Sequence, residues 1–290
     1  MDSITPVFQN FIQGINTIFY NFFNSVDSNV YSILDDIIFI NSDILYDNFI
    51  LKILGNSNST GLLLLCNSLL FGFILYYAIS LILSRIAMFR LQTPYQFICK
   101  LIIISIVINY TYEICSFLLD LNSNISSTIR SIGENLFNSS ICFSNLENKL
   151  TYISNLGNNF NVFSVQGFLK SFSSIGILNL ILSYSLRYIM VKIFILIFPF
   201  AIISTLNESS SYFFKSYIKS FISLLFTQTI VALVLLLIYS LDFNTNTLFS
   251  QVIFIGAIYC LSRINYFMKE LMGGISTTVY SNANITKGGI

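Results

Sequence analysis

The sequence predicts an all-α, polytopic membrane protein with about five transmembrane helices, its N-terminus outside and its C-terminus cytoplasmic. Three observations carry that expectation. Hydrophobic residues make up 55% of the 290-residue chain and charged residues only 9%, where soluble domains carry about a quarter charged residues. The apolar residues gather into runs long enough to cross a bilayer, which takes about 20 residues. The lysines and arginines gather on alternate connections, which sets a direction of threading.

The spans follow in order. Residues 61–84, "GLLLLCNSLLFGFILYYAISLILS", hold no charge. Residues 98–119 hold one acid, Glu113. Residues 175–206 are apolar but too long for one crossing, at roughly 48 Å as a helix. Either that helix projects from the bilayer or residues 175–185 form a separate interfacial piece. Residues 221–241 qualify, and residues 248–267 complete the set with Arg263 near their end.

Three segments are basic. Arg85 and Arg90, with Lys100 just beyond, follow the first span. Lys215 and Lys219 follow the third, and Arg263, Lys269 and Lys287 close the chain. Positive loops stay inside, so these are expected on the cytoplasmic face. Only Glu208 and Glu270 accompany them, whereas ten of the 13 acids lie in the other segments. The expected organisation is an extracytoplasmic amphipathic segment over 1–60, two spans over 61–119 and an extracytoplasmic loop over 120–174. Three spans over 175–270 follow, with a cytoplasmic amphipathic connector at 207–220, then a Gly-rich cytoplasmic tail over 271–290.

The N-terminal segment lacks the basic start and cleavage site of a signal peptide. Ile4, Val7, Phe8, Phe11, Ile12, Ile15, Ile18, Phe19, Phe22 and Phe23 recur at three and four residues and share one helical face. That helix either rests on the outer interface, packs on the bundle, or docks a partner or sister subunit. The 120–174 loop is rich in Asn and Ser, with Ile, Leu and Phe at near-helical spacing, and is expected to hold short amphipathic helices.

The third span, "LRYIMVKIFILIFPFAII", raises a problem: it buries Arg187, Lys192 and Pro199 in apolar surroundings. A charge at the bilayer centre costs about 2.5–3.5 kcal/mol on insertion scales. Glu113 is the one acid within the spans and so the expected partner of Arg187. Three roles stay open for these charges: a structural ion pair, a pore-lining or inter-subunit position, and a proton relay. Pro199 has no N–H and is expected to kink or end its helix. After it, Phe213, Phe214, Tyr217, Ile218 and Phe221 form one face and Lys215 and Lys219 another. This reads as a helix on the inner leaflet, capped by Ser209, Ser210 or Ser211, whose basic face meets lipid or a partner.

"FPFAII" followed by "FFKSYIKSFISLLFTQTIVALVL", with the last span "IGAIYCLSRINYFMKELMGGIS", resembles the TrbL/VirB-type polytopic subunits of type IV secretion systems over roughly residues 60–280. The resemblance implies about five spans, an outside N-terminus and a large external loop. It also implies a non-enzymatic multimer at the membrane base of a conjugation channel in the bacterial cytoplasmic membrane. Its partners there would be cytoplasmic ATPases, extracytoplasmic channel subunits and single-stranded DNA in transit. The residues agree: no phosphate loop, HExxH, GxSxG or CxxC occurs. With no His and five scattered cysteines (Cys66, Cys99, Cys115, Cys142 and Cys260), no metal site, disulfide framework or cofactor is expected. The rival readings are a small-molecule or ion transporter, which needs paired discontinuous helices, and a holin-like membrane protein.

Overall fold

A computed structural model describes residues 4–55, 61–87, 93–149, 164–207, 210–241 and 248–272. Among them there is no strand. The helices are α1 (Ile4–Ile38), α2 (Asn48–Leu54), α3 (Leu62–Ala87), α4 (Pro94–Asn109), α5 (Thr111–Phe137), α6 (Phe143–Lys149), α7 (Val165–Ile203), α8 (Ser211–Ser240) and α9 (Leu248–Met272). Helices α3, α7, α8 and α9 are each long and apolar enough to cross a membrane. Helices α4 and α5 qualify only together, as one segment bent by 65°. The chain is therefore a polytopic helical membrane protein with four crossings, or five when the bent pair counts as one.

The second expected span is corrected by this bend. Helix α4 starts at Pro94, whose missing N–H costs nothing in a first turn. It stops at Asn109. Tyr110 still donates its N–H to the Ile106 carbonyl at 3.1 Å. The Thr111 hydroxyl then takes the Ile108 carbonyl at 2.7 Å, so that carbonyl is satisfied where the axis turns. A bend of 65° leaves α5 travelling onward in the sense of α4, whereas a re-entrant hairpin would reverse it. Helix α5 then continues through Phe137, so the first part of the expected 120–174 loop is one long helix. Residues 150–163 of that loop lie outside the described residues, as does the Gly-rich tail from residue 273.

Residues 175–203 belong to a single α-helix, and 204–206 form a 3-10 turn after it. Ser164 accepts a hydrogen bond from the Gly167 N–H at 3.0 Å and so starts α7. The helix runs 39 residues to Ile203, passing through Pro199 without ending. At 1.5 Å per residue it is roughly 57 Å long. The expected surface connector is also corrected. Ser211–Ser240 is one continuous helix, and Tyr217 and Phe221 face the core rather than a leaflet. The Ser210 hydroxyl does not cap α8; it donates to the carbonyls of Ser204 and Asn207.

Contacts fix the relative directions. Tyr77 of α3 stacks on Phe97 of α4 at 3.9 Å, while Leu63 and Asn109 line one cleft, so these two helices are antiparallel. Phe194 meets Tyr217 and Arg187 meets Leu224, so α7 and α8 are antiparallel. Helix α5 runs parallel to α8, since Asn122 meets Gln228 and Gly133 lies against Leu236. Helix α9 runs parallel to α7, with Gly176 against Ile258 and Ser183 beside Asn265. This alternation is what a threading of five crossings requires when α4 and α5 form one.

Two apolar clusters make the core. One holds α2, α3, α4, the start of α5 and the adjoining ends of α7 and α8, with Phe194, Phe198, Tyr217 and Phe221 packed together in it. The other holds the end of α1, α6, α9 and the remaining parts of α7 and α8. Helices α7 and α8 run through both, and a band of buried polar side chains lies where the clusters meet.

Candidate functional site

The band is built around the end of α1. Val30, Tyr31, Leu34 and Ile38 are buried, so this helix drives its C-terminal turns into the bundle. The last carbonyls of a helix have no partner within it. No basic residue lies in the last turn of α1 to meet them. Arg187 of α7 supplies one from across the bundle. It is fully buried, its Nη1 donates to the Ile38 carbonyl at 3.0 Å and its Nε to the Leu224 carbonyl at 2.8 Å. A cation against a helix C-terminus is also favoured by the helix dipole. Glu113, the expected partner, makes no ion pair with it. That acid is exposed in the first turn of α5 and lines a cleft with Lys52. The guanidinium is held by carbonyl dipoles instead of a carboxylate.

Next to it, Gln228 of α8 secures the chain as it leaves α1. Its Oε1 accepts from the Ile40 N–H at 3.2 Å and from Asn122 Nδ2 at 3.2 Å, and its Nε2 donates to Ser126 Oγ at 2.9 Å. Thr229 donates to Asn122 Oδ1 at 3.1 Å, which completes that amide. Asp120 accepts from the Ser42 N–H at 3.2 Å. Buried amides whose donors and acceptors are met in this way hold neighbours in one arrangement.

One turn further along α7, Lys192 meets Asp47 at 2.7 Å, and its ammonium lies 4.9 Å from the centre of the Tyr188 ring. Asp47 also accepts the Phe49 N–H and so starts α2. The hydrogen bond from Lys192, then that from Phe49, holds the Asp47 carboxyl below the usual range. At the other end of the bundle, Asp35 accepts from the N–H groups of Phe143 and Ser144 at 2.9 and 3.0 Å, which ties α6 to α1. Arg130 donates to the Ile141 carbonyl at 2.8 Å and lies over the Phe39 ring. Lys170 is buried, with its ammonium 6.0 Å from the Tyr20 ring centre.

Of the residues singled out in the sequence, the structure joins Arg187 and Lys192 to one band. Pro199 is buried a turn before the end of α7, and Lys215 and Lys219 are exposed near the start of α8. Sequence reasoning passed over Gln228, Asn122, Asp47 and Asp120. The triplet Thr227–Gln228–Thr229 inside an otherwise apolar run was the available signal, since a buried polar group needs a partner. The arrangement is a clamp: polar side chains from α5, α7 and α8 close on residues 38–47. No family model, curated protein or solved structure matches this chain.

Proposed function

We propose that the chain is an integral membrane component of a conjugative type IV secretion channel, multimerising to form the membrane base of the translocation path. The observation that supports this reading is the length and surface of α7. At roughly 57 Å the helix is nearly twice the thickness of a bilayer core, about 30 Å. It exposes large apolar side chains along most of that length, from Phe168 and Phe172 through Ile175, Leu182 and Leu186 to Ile193. Lipid covers one bilayer's thickness of such a surface. Apolar surface beyond it calls for protein. Sister copies and extracytoplasmic channel subunits are partners of that kind. On the cytoplasmic side, exposed Lys215 and Lys219 offer a basic face to anionic lipid or to a conjugation ATPase.

A donor cell deleted for this chain tests the reading. Conjugative transfer is expected to fall to background and to return when the chain is supplied in trans. Lys215→Glu combined with Lys219→Glu is expected to insert at normal level, lose co-purification with the ATPase and fail to restore transfer. Transfer that survives the deletion, with altered solute uptake, would establish the transporter reading instead.

A further inference from the structure

The break between α4 and α5 opens a cleft of about 550 Å³. Two kinds of side chain line it. Leu51 and Leu54 of α2 and Leu63 of α3 are apolar; Lys52 of α2 and Glu113 of α5 are charged and of opposite sign. Among the described residues, an ion pair joins Lys192 and Asp47, but none joins Lys52 and Glu113. Both charges therefore face the cleft with their attraction for a ligand unspent. The wall between α2 and α3 is fixed by two glycines. Gly55 and Gly61 adopt φ of 69° and 112°, and a Cβ on Gly61 would fall 2.7 Å from the Leu54 carbonyl. Only glycine allows that approach. Beyond Leu63 the apolar wall continues onto the exposed Leu64 and Leu65 at the start of α3, whose spanning window is only 17% buried.

We infer that this cleft binds a zwitterionic phospholipid headgroup of the phosphoethanolamine type. The Glu113 carboxylate meets the ammonium and Lys52 meets the phosphate. The acyl chains pass over Leu63 and down the open face of α3. A discontinuous span suits this, because the break places charged side chains beside an apolar helix start without burying them. An anionic headgroup without an amine satisfies Lys52 but meets repulsion from Glu113. A free zwitterion satisfies both charges but gains nothing from the leucines. The inference stands apart from the secretion reading, since binding is read on the purified chain alone.

Native mass spectrometry of the full chain in detergent tests it with phosphatidylethanolamine, phosphatidylglycerol and water-soluble phosphoethanolamine. Phosphatidylethanolamine is expected to bind about tenfold more tightly than phosphatidylglycerol, the factor that one charge-assisted contact supplies. Phosphoethanolamine is expected to bind more weakly than its lipid. Glu113→Gln is expected to bring the two lipids to equal affinity, and Lys52→Gln to weaken both by about tenfold. Lys52→Arg keeps the charge and is expected to keep the lipid, which separates a lost contact from a lost fold. Equal binding of the two lipids by the native chain would overturn the inference. So would an unchanged preference in Glu113→Gln, or phosphoethanolamine binding as tightly as its lipid.

Discussion

Arg187 and Lys192 stand five residues apart on α7, yet their surroundings differ in kind. Lys192 is half-buried and pairs with a carboxylate, Asp47, that is itself partly exposed. Arg187 is fully buried and pairs with two carbonyls. The difference follows from the donors. A guanidinium presents a planar fork that spans two separate acceptors, whereas an ammonium is a compact point charge. It also follows from where α1 ends, because a helix C-terminus inside the bundle supplies both an orphan carbonyl and a negative dipole. A cation in an apolar helix therefore need not announce a carboxylate partner. It can announce another helix's end.

Removing the Arg187 fork breaks this comparison most severely. Arg187→Met is expected to destabilise the protein by about 3 kcal/mol, because it strands the Ile38 carbonyl in a dry interior. Equilibrium unfolding in detergent measures it, and Arg187→Lys is expected to recover only part of the loss. A change in Arg187→Met below about 1 kcal/mol would mean that the carbonyl finds another donor. Gln228→Leu is the intermediate case. It leaves the Ile40 N–H and Asn122 without their acceptor, at an expected cost of about 2 kcal/mol. Hydrogen exchange locates the effect: the Ile40 amide should exchange faster, while that of Ser42, held by Asp120, should not.

Lys192 gives the smallest effect, and pH reads it. Hydrogen bonds hold the Asp47 carboxyl below its ordinary value, so its contribution is present above the unfolded carboxylate range near about 3.9 and is lost as pH falls through the lower folded value. Asp47→Asn is expected to lower the melting temperature slightly at pH 7, with native and variant converging as pH falls through the lowered folded value. A gap that persists in acid would assign the loss to the α2 cap at Phe49 rather than to the ion pair.

Two interruptions show how far the sequence could be read. Pro199 signals a break, and α7 runs through it to Ile203. Tyr110 carries no such signal, and there the axis turns by 65°. A proline near a helix end removes one hydrogen bond, and the helix continues past Pro199 for one more turn to Ile203. At Tyr110 the turn is accompanied by the Thr111 hydroxyl reaching one carbonyl, a local detail that hydropathy averaged over 20 residues cannot register. The connector at 207–220 failed for a related reason. Its apolar face was legible, but a sequence cannot say whether Tyr217 and Phe221 meet lipid or Phe194.

Composition and run length by themselves determined that the chain is helical, polytopic and alternating in direction. These are local consequences of a solvent that leaves backbone N–H and C=O groups no partner but their own helix. The partners of the buried charges were decided only by the tertiary structure. Arg187 and Ile38 are 149 residues apart in the chain, as Lys192 and Asp47 are 145. A backbone carbonyl carries no side-chain signature, so nothing in the sequence of α1 marks Ile38 as the acceptor. It becomes one because α1 ends in the bundle at the depth of Arg187, where the missing water leaves that carbonyl to a side-chain donor.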